Sequence, residues 1–375
     1  MRYLMLAPIV LACSGAPAQT CQWTHITTST APRPRATAAI AFDALRGKTV
    51  LFGGYGNSGV FLGDTWAWDG SVWTFLGESG LGERAGSAAT FDVEHGLTIL
   101  FGGYNGQARY GDTWAWDGNA WTQMPAFGPS ERSGAAMAYD SARHRIVMFG
   151  GYGDAVFLAT TWEWDGNVWT QRALTGTIPS PRSSHAMAYD TGAGRVVLQG
   201  GMGDAFVPLS DTWSWNGTAW SLLTNSGPAR SSHGMVYDSA RGKLVLQGGL
   251  TPTGVVGDTW EWNGSAWALQ SDEGPANWDA AYAYDSARQR VVRFGGGATT
   301  TFTDSTDERG CGVACYANCD ASTSPPILNV NDFQCFINRY AAQDSYANCD
   351  HSTNPPTLNV NDFQCFLNTY AAGCP

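Results

Sequence analysis

The sequence predicts an all-β fold in which six copies of one four-stranded unit stack radially about an axis as a β-propeller, followed by a small helical module. Three observations carry this. A diglycine closing an apolar run recurs at Gly53-Gly54, Gly102-Gly103, Gly150-Gly151, Gly200-Gly201, Gly248-Gly249 and Gly295-Gly296, with spacings of 49, 48, 50, 48 and 47 residues. A block with three tryptophans in eight residues recurs five times, as "GDTWAWDGSVW" from Gly63, "GDTWAWDGNAW" from Gly111, "TTWEWDGNVW" from Thr160, "DTWSWNGTAW" from Asp211 and "DTWEWNGSAW" from Asp258. A cysteine-rich segment near the C-terminus is duplicated.

In chain order, Arg2, the apolar run from Tyr3 to Ala12 and "SGAPAQT" read as a secretory leader of residues 1–18 with an A-x-A cleavage site. The competing reading is a lipoprotein box with Cys13 as the lipidated residue. The leader is too short to span a bilayer, and no later segment qualifies.

The repeat unit occupies residues 19–310. Each copy begins with an alternating segment ending in an aromatic residue and Asp, such as "RSGAAMAYD"; the diglycine run, the tryptophan block and a final "VWTQRAL"-like run follow. These are four short β-rich runs separated by turn residues. Residues two apart in a strand share a face, so Asp64, Trp66 and Trp68 point the same way. The tryptophans fill the gap to the next sheet, and the following Asp-Gly or Asn-Gly makes a hairpin. A tryptophan stripe can also be a sugar-stacking platform; fixed repeat positions favour the packing role.

The pattern of diglycine, aromatic and tryptophan at set distances resembles the kelch repeat family and implies a six-bladed β-propeller over roughly residues 20–310. Its sixth tryptophan block is missing. "TFTDSTDERG" stands there, read as a degraded third strand with Thr306 and Glu308 at the tryptophan positions. No fourth strand follows, but "CQWTHI" at Cys21 to Ile26 matches the fourth strands, and Trp23 precedes the first diglycine by 30 residues. The N-terminal strand is therefore expected to complete the last blade, removing the sheet edge at the seam. Cys21 would then lie near Cys311, where a disulfide would lock the closure.

Residues 311–375 form the second region. "YANCDASTSPPILNVNDFQCFINRYAA" (316–342) repeats at 346–372 with 22 of 27 positions identical. Each copy joins an oxygen-rich loop to a short helix with an apolar face, Phe333, Phe336, Ile337 and Tyr340 in the first and Phe363, Phe366, Leu367 and Tyr370 in the second. Asn318, Asp320, Asn329 and Asp332, with Asn348, Asp350, Asn359 and Asp362, supply oxygens suited to Ca²⁺; helix and turn capping is the alternative. The duplication resembles dockerin modules, and more closely the cysteine-containing dockerin-like tails of exported proteins, which implies calcium binding and attachment to a surface or cohesin-like partner. It departs from them in longer "PP"-containing loops, a missing turn glycine and extra cysteines. Cys315 and Cys374 could clasp its ends; the pairing of Cys319, Cys335, Cys349 and Cys365 stays open.

Charge narrows the partners. The chain carries 21 basic and 32 acidic residues, a net charge of −11, with Lys48 and Lys243 its only lysines. Nucleic acid and anionic membranes are poor partners for it.

Chemistry is sparse. The galactose oxidases, kelch-like enzymes, hold copper with two Tyr and two His, one Tyr cross-linked to Cys. No cysteine lies between Gln22 and Gly310, so no copper of that type is expected in the blades. His185 and His233 share a repeat position without an obvious third metal ligand. Arg35, Arg84, Arg132, Arg182 and Arg230 stand where the innermost strands begin, with Asn277 in sixth place. They either converge on the channel mouth to recognise carboxylates or brace the blades. The loops after each diglycine are the better seat of specificity.

Two functions follow. One is an exported, non-catalytic recognition protein at the cell surface or secreted, its propeller binding a glycan or a protein. The other is a carbohydrate-active enzyme, a glycoside hydrolase or sugar isomerase, with Glu83, Glu131 and Asp279 near the channel mouth as acidic candidates.

Overall fold

A computed structural model describes residues 20–312, apart from 79, 126, 174–175, 271–273 and 299–300, together with 333, 334 and 336–338. Backbone contacts divide the chain into Gln22–Gly310 and a unit of residues 1–21 with 311–375. The first is an all-β propeller of six antiparallel blades.

Blade 1 runs from its innermost strand outward as Ala39–Asp43, Lys48–Gly56, Phe61–Trp68 and Trp73–Glu78. Blade 5 repeats the plan with Gly234–Asp238, Lys243–Gln247, Thr259–Trp262 and Trp267–Leu269. The second strands are apolar at successive positions because blades cover both their faces: Val196, Val197 and Leu198 are fully buried. The aromatic-Asp ending is a turn device. Asp43 Oδ1 accepts the backbone N–H groups of Leu45 and Arg46 at 3.1 and 3.0 Å, and its equivalents at Asp92, Asp140, Asp238 and Asp285 do likewise.

Three rings of bonds join the blades. The outermost uses the fourth-strand tryptophans, each donating its indole N–H to a third-strand threonine of the preceding blade. These are Trp73 to Thr306, Trp121 to Thr65, Trp169 to Thr113, Trp220 to Thr161, Trp267 to Thr212 and Trp23 to Thr259, all at 2.8–3.0 Å. Each buried indole also removes enough surface from water to be worth about 4–6 kcal/mol of gross transfer energy. The middle ring explains the diglycine. Gly54 N–H donates to Arg84 O of the next blade at 2.9 Å, and a Cβ on Gly53, at φ +62°, would stand 2.5 Å from that same oxygen. Only glycine tolerates both the backbone conformation and the approach.

The innermost ring is made of backbone alone. Thr37, Gly86, Gly134, Ser184, Ser232 and Asp279 all have positive φ. Each donates its N–H to the carbonyl of the one before, and Thr37 closes the circle on Asp279 O, at 2.8–2.9 Å throughout.

Blade 6 consists of Ala281–Asp285, Arg290–Phe294, Thr306–Gly312 and, outermost, the N-terminal strand Thr20–Ile26. Trp23 thus takes the place of a fourth-strand tryptophan, and a disulfide joins Cys21 to Cys311. The register corrects one expectation. Thr306 pairs with Phe294 as Thr259 pairs with Gln247, so Asp307 and Arg309, not Thr306 and Glu308, occupy the tryptophan positions. With side chains alternating across a strand, the one-residue difference exchanges the two faces.

In the other unit, residues 333, 334 and 336–338 are helical, with Phe336 buried. The leader, Cys13, the eight calcium-ligand candidates and Cys315, Cys319, Cys335, Cys349, Cys365 and Cys374 lie outside the described residues.

Candidate functional site: the aromatic mouth of the channel

The arginine series occupies the start of blades 1 to 5, with Asn277 in blade 6, and the arginine side chains turn into the blades. Arg35 is buried, donates to both oxygens of Asp64 at 2.6 and 2.7 Å, and reaches Gly53 O at 2.9 Å. Arg182 does the same to Asp211, Arg230 to Asp258, and Arg84 to Asp112 through one oxygen. The carboxylates stay ionised: Asp64, Asp211 and Asp258 lie below the usual carboxylate range because their hydrogen bonds and charge attraction to arginine outweigh burial, the largest opposing effect. The pairs latch the innermost segment to the third strand, and the acid also holds the tryptophan two residues on, as Asp64 Oδ2 accepts from Trp66 at 2.7 Å. Arg132 is the exception. Thr160 stands in the aspartate's place, and the guanidinium bonds to Thr160 Oγ1, Ser130 Oγ and Gly150 O, each at 3.0 Å. Burial without a carboxylate brings it down to about 10.

What reaches the channel is the residue pair after each arginine. Ala36-Thr37, Ala85-Gly86, Ser133-Gly134 and Ser183-Ser184 line one end of it, with Trp278 and Asp279 after Asn277. They floor a cavity of about 560 Å³. A pocket of about 310 Å³ shares Tyr152, Ser183, Ser184 and Trp278 with it and extends to Met202, Ser232 and Leu250.

The walls come from the loops after the diglycines and, with Trp278 of the floor, form a crown of touching rings. Trp278 meets Phe302 at 6.1 Å between centroids, Phe302 meets Tyr55 at 6.1 Å, and Tyr55 meets Phe61 at 4.9 Å. Phe61 continues to Tyr104 at 5.8 Å. The Arg109 guanidinium then bridges Tyr104 and Tyr152, at 5.1 and 4.8 Å from their centroids. Tyr152, Phe157 and Phe206 extend the chain at 5.1 and 5.4 Å. Aromatics thus rim the mouth over blades 1, 2, 3, 4 and 6, and Met202 of blade 4 and Leu250 of blade 5 line it as well.

The family model of the KLHDC2/KLHL20/DRC7 Kelch-repeats domain matches residues 16–201. The propeller is of the kelch type. No curated protein matches the chain.

Within this kelch-type propeller the acidic candidates separate. Asp279 lines the mouth, partly accessible, with Ser232 as its hydrogen-bonding neighbour; the surrounding protein desolvates its carboxyl and pushes it up to about 6. Glu83 instead lines a separate cavity of about 760 Å³ with Arg33, Asp64, Trp66, Phe75 and Glu78. Glu131 is exposed and outside both linings. The expected meeting of all three at the mouth does not occur, because residues preceding the arginines face away from the axis. Glycoside cleavage needs two carboxyl groups facing each other within about 5–9.5 Å. Asp279 is the only carboxylate among the described lining residues of the mouth.

His185 and His233 are buried one blade apart, their ring nitrogens without a hydrogen-bond partner among the described residues. Burial, then the charges of Arg182 and Arg230 respectively, keep both neutral: His185 falls to about 3 and His233 well below the ordinary histidine value. Neither belongs to a metal-ligand cluster of three among the described residues.

Proposed function

We propose that this is an exported recognition protein whose kelch-type propeller binds a glycan or protein ligand at the aromatic mouth of its channel. A kelch propeller suits a protein-binding or scaffold role. The observation that carries the reading is the crown itself: aromatic rings from five blades, held on a floor that a closed circle of hydrogen bonds makes rigid. Preorganised aromatic surface on a scaffold binds with little ordering cost. The lone carboxylate favours binding over hydrolysis there. The duplicated tail completes the proposal as a calcium-dependent module that fixes the protein to a surface or extracellular complex.

The test is retention of the full chain on a panel of insoluble polysaccharides and immobilised proteins, with the supernatants assayed for released or altered sugar. Retention without product is expected. Product formation would overturn the non-catalytic reading and make Asp279 the first residue to substitute.

A further inference from the structure

The mouth carries a charge asymmetry that the crown alone does not explain. Among the described residues lining it there is no lysine or arginine, one carboxylate at Asp279, and a set of hydroxyls from Thr37, Ser133, Ser183 and Ser184. Around it stand the rings of Trp278, Phe302, Tyr55 and Phe61. Aromatic faces carry negative potential and attract cations, most strongly where water is excluded.

The molecule already uses this property at Arg84, whose guanidinium lies 3.7 Å from the Tyr110 ring centroid, and at Arg109. Arg109 lies over Tyr104 and Tyr152, with no carboxylate of the described residues within ion-pair distance. The rings are what hold that cation. Nearer Trp278 the mouth has rings and a carboxylate and, among the described lining residues, no lysine or arginine.

Asp279 is also held in an uncommon backbone conformation. Its φ is +56°, in the left-handed region that all six ring positions share, with Thr37, Ser184 and Ser232 on blades 1, 4 and 5 and Gly86 and Gly134 on blades 2 and 3. The ring imposes this backbone on every blade, so what an acid adds there is the desolvation of its carboxylate. Ser232 provides a hydrogen bond but no charge. A desolvated carboxylate lining a cavity, with no lysine or arginine among the described lining residues, marks a place where a ligand supplies the missing partner.

We propose that the mouth recognises an organic ammonium group, seated against Asp279 and enclosed by Trp278, Phe302, Tyr55 and Phe61. This deepens the reading of the mouth as the binding site and rests on it. The class includes amino sugars, lysine side chains and quaternary ammonium head groups, and the net charge of −11 favours such ligands at long range. Seating the cation needs no chemistry beyond ion pairing and ring contact, and it relieves the desolvation cost of the carboxylate.

The experiment titrates the full chain, by calorimetry and ligand-observed NMR, with choline and with its uncharged carbon isostere 3,3-dimethylbutan-1-ol. Choline should bind about tenfold tighter or more, the margin of a desolvated cation–ring contact with a carboxylate beside it. Asp279→Asn, and independently Asp279→Gly, should remove that preference. The glycine variant keeps the fold, since glycine already serves at this position in two blades. Equal binding of the two probes by the unsubstituted chain, or a choline preference that survives both variants, would overturn the proposal. If Trp278→Ala abolishes binding of both probes while the Asp279 variants change neither, the mouth stands as a site and the ammonium assignment falls. If neither probe binds, or both bind regardless of Trp278 and Asp279, the assignment falls together with the choice of site.

Discussion

Blades 5 and 6 are neighbours on the same four-strand plan, and they bury opposite chemistry. In blade 5, Leu246 pairs across the strands with Trp260, and Trp262 is buried against the preceding blade. In blade 6 the same positions hold Arg293 opposite Asp307, joined as a buried ion pair, and Arg309 in place of Trp262, bonded to Glu261 of blade 5 at 2.9 Å. Blade 5 is one continuous segment. Blade 6 takes its outer strand from the other end of the chain, 290 residues from the partner cysteine. A one-residue slip takes an apolar pair off its buried face, and it leaves an ion pair buried at a seam without its partner, which costs more. The comparison teaches that the seam is specified by charge and a covalent link where the other blades rely on tryptophan.

The largest expected break is Asp307→Ala. It leaves Arg293 buried without its acid and should cost about 3–5 kcal/mol in denaturant unfolding. Converting the pair to blade 5 chemistry, Arg293→Leu with Asp307→Trp, should recover most of that. A double variant no better than the single would show that the ion pair supports more than the seam.

Next comes the covalent link. Cys21→Ser with Cys311→Ser should cost about 2–4 kcal/mol, because the reduced chain no longer has its ends tied in the unfolded state. The blade 5 equivalent has no such dependence on reductant. Thermal unfolding with and without reductant measures it, and an unchanged midpoint would mean the strand alone suffices for closure.

The smallest effect separates the blades by pH. Blade 5 buries a neutral His233, whose depressed pKa makes the unfolded chain bind the proton more readily. Its stability contribution is complete above about 6.5 and declines as pH falls. Blade 6 places Asp279 beside it, with the opposite sign. Its pKa rises from 3.8 to about 6 on folding, so its contribution is complete below 3.8 and lost as pH rises through about 6. Asp279→Ser, the blade 5 residue, should therefore raise the melting temperature above pH 6 by a few degrees and leave it unchanged below 3.8. An equal shift at both ends would show that the gain does not come from the ionisation of Asp279.

Much of this was legible before any coordinates. Period and turn chemistry identified six units, and the displaced Trp23 identified the closing strand, since a packing tryptophan has only one kind of place in the repeat. The register of the degraded strand was not legible. With Asp307 and Arg309 replacing tryptophans, nothing apolar marks which face is which, and the pattern alone places the strand one residue off. The arginines share this limit. A repeat position locates the Cα, but a long side chain can turn to the axis or to the third strand. The signal that decided it was present: an aspartate follows 28 or 29 residues after Arg35, Arg84, Arg182 and Arg230, and Thr160 breaks the series at Arg132. The crown was hardest to see, because its rings sit in loops of unequal length and meet only in three dimensions.

The central claim is that recognition happens at the crown. It is tested most directly by measuring affinity for the panel's best-retained member in the full chain and in Trp278→Ala, with melting temperature recorded for both. A loss of about tenfold or more at a nearly unchanged melting temperature is the expected result. Retention indifferent to Trp278, or retention of no panel member, would contradict the claim and move the search to the Arg33, Trp66 and Phe75 cavity on blade 1.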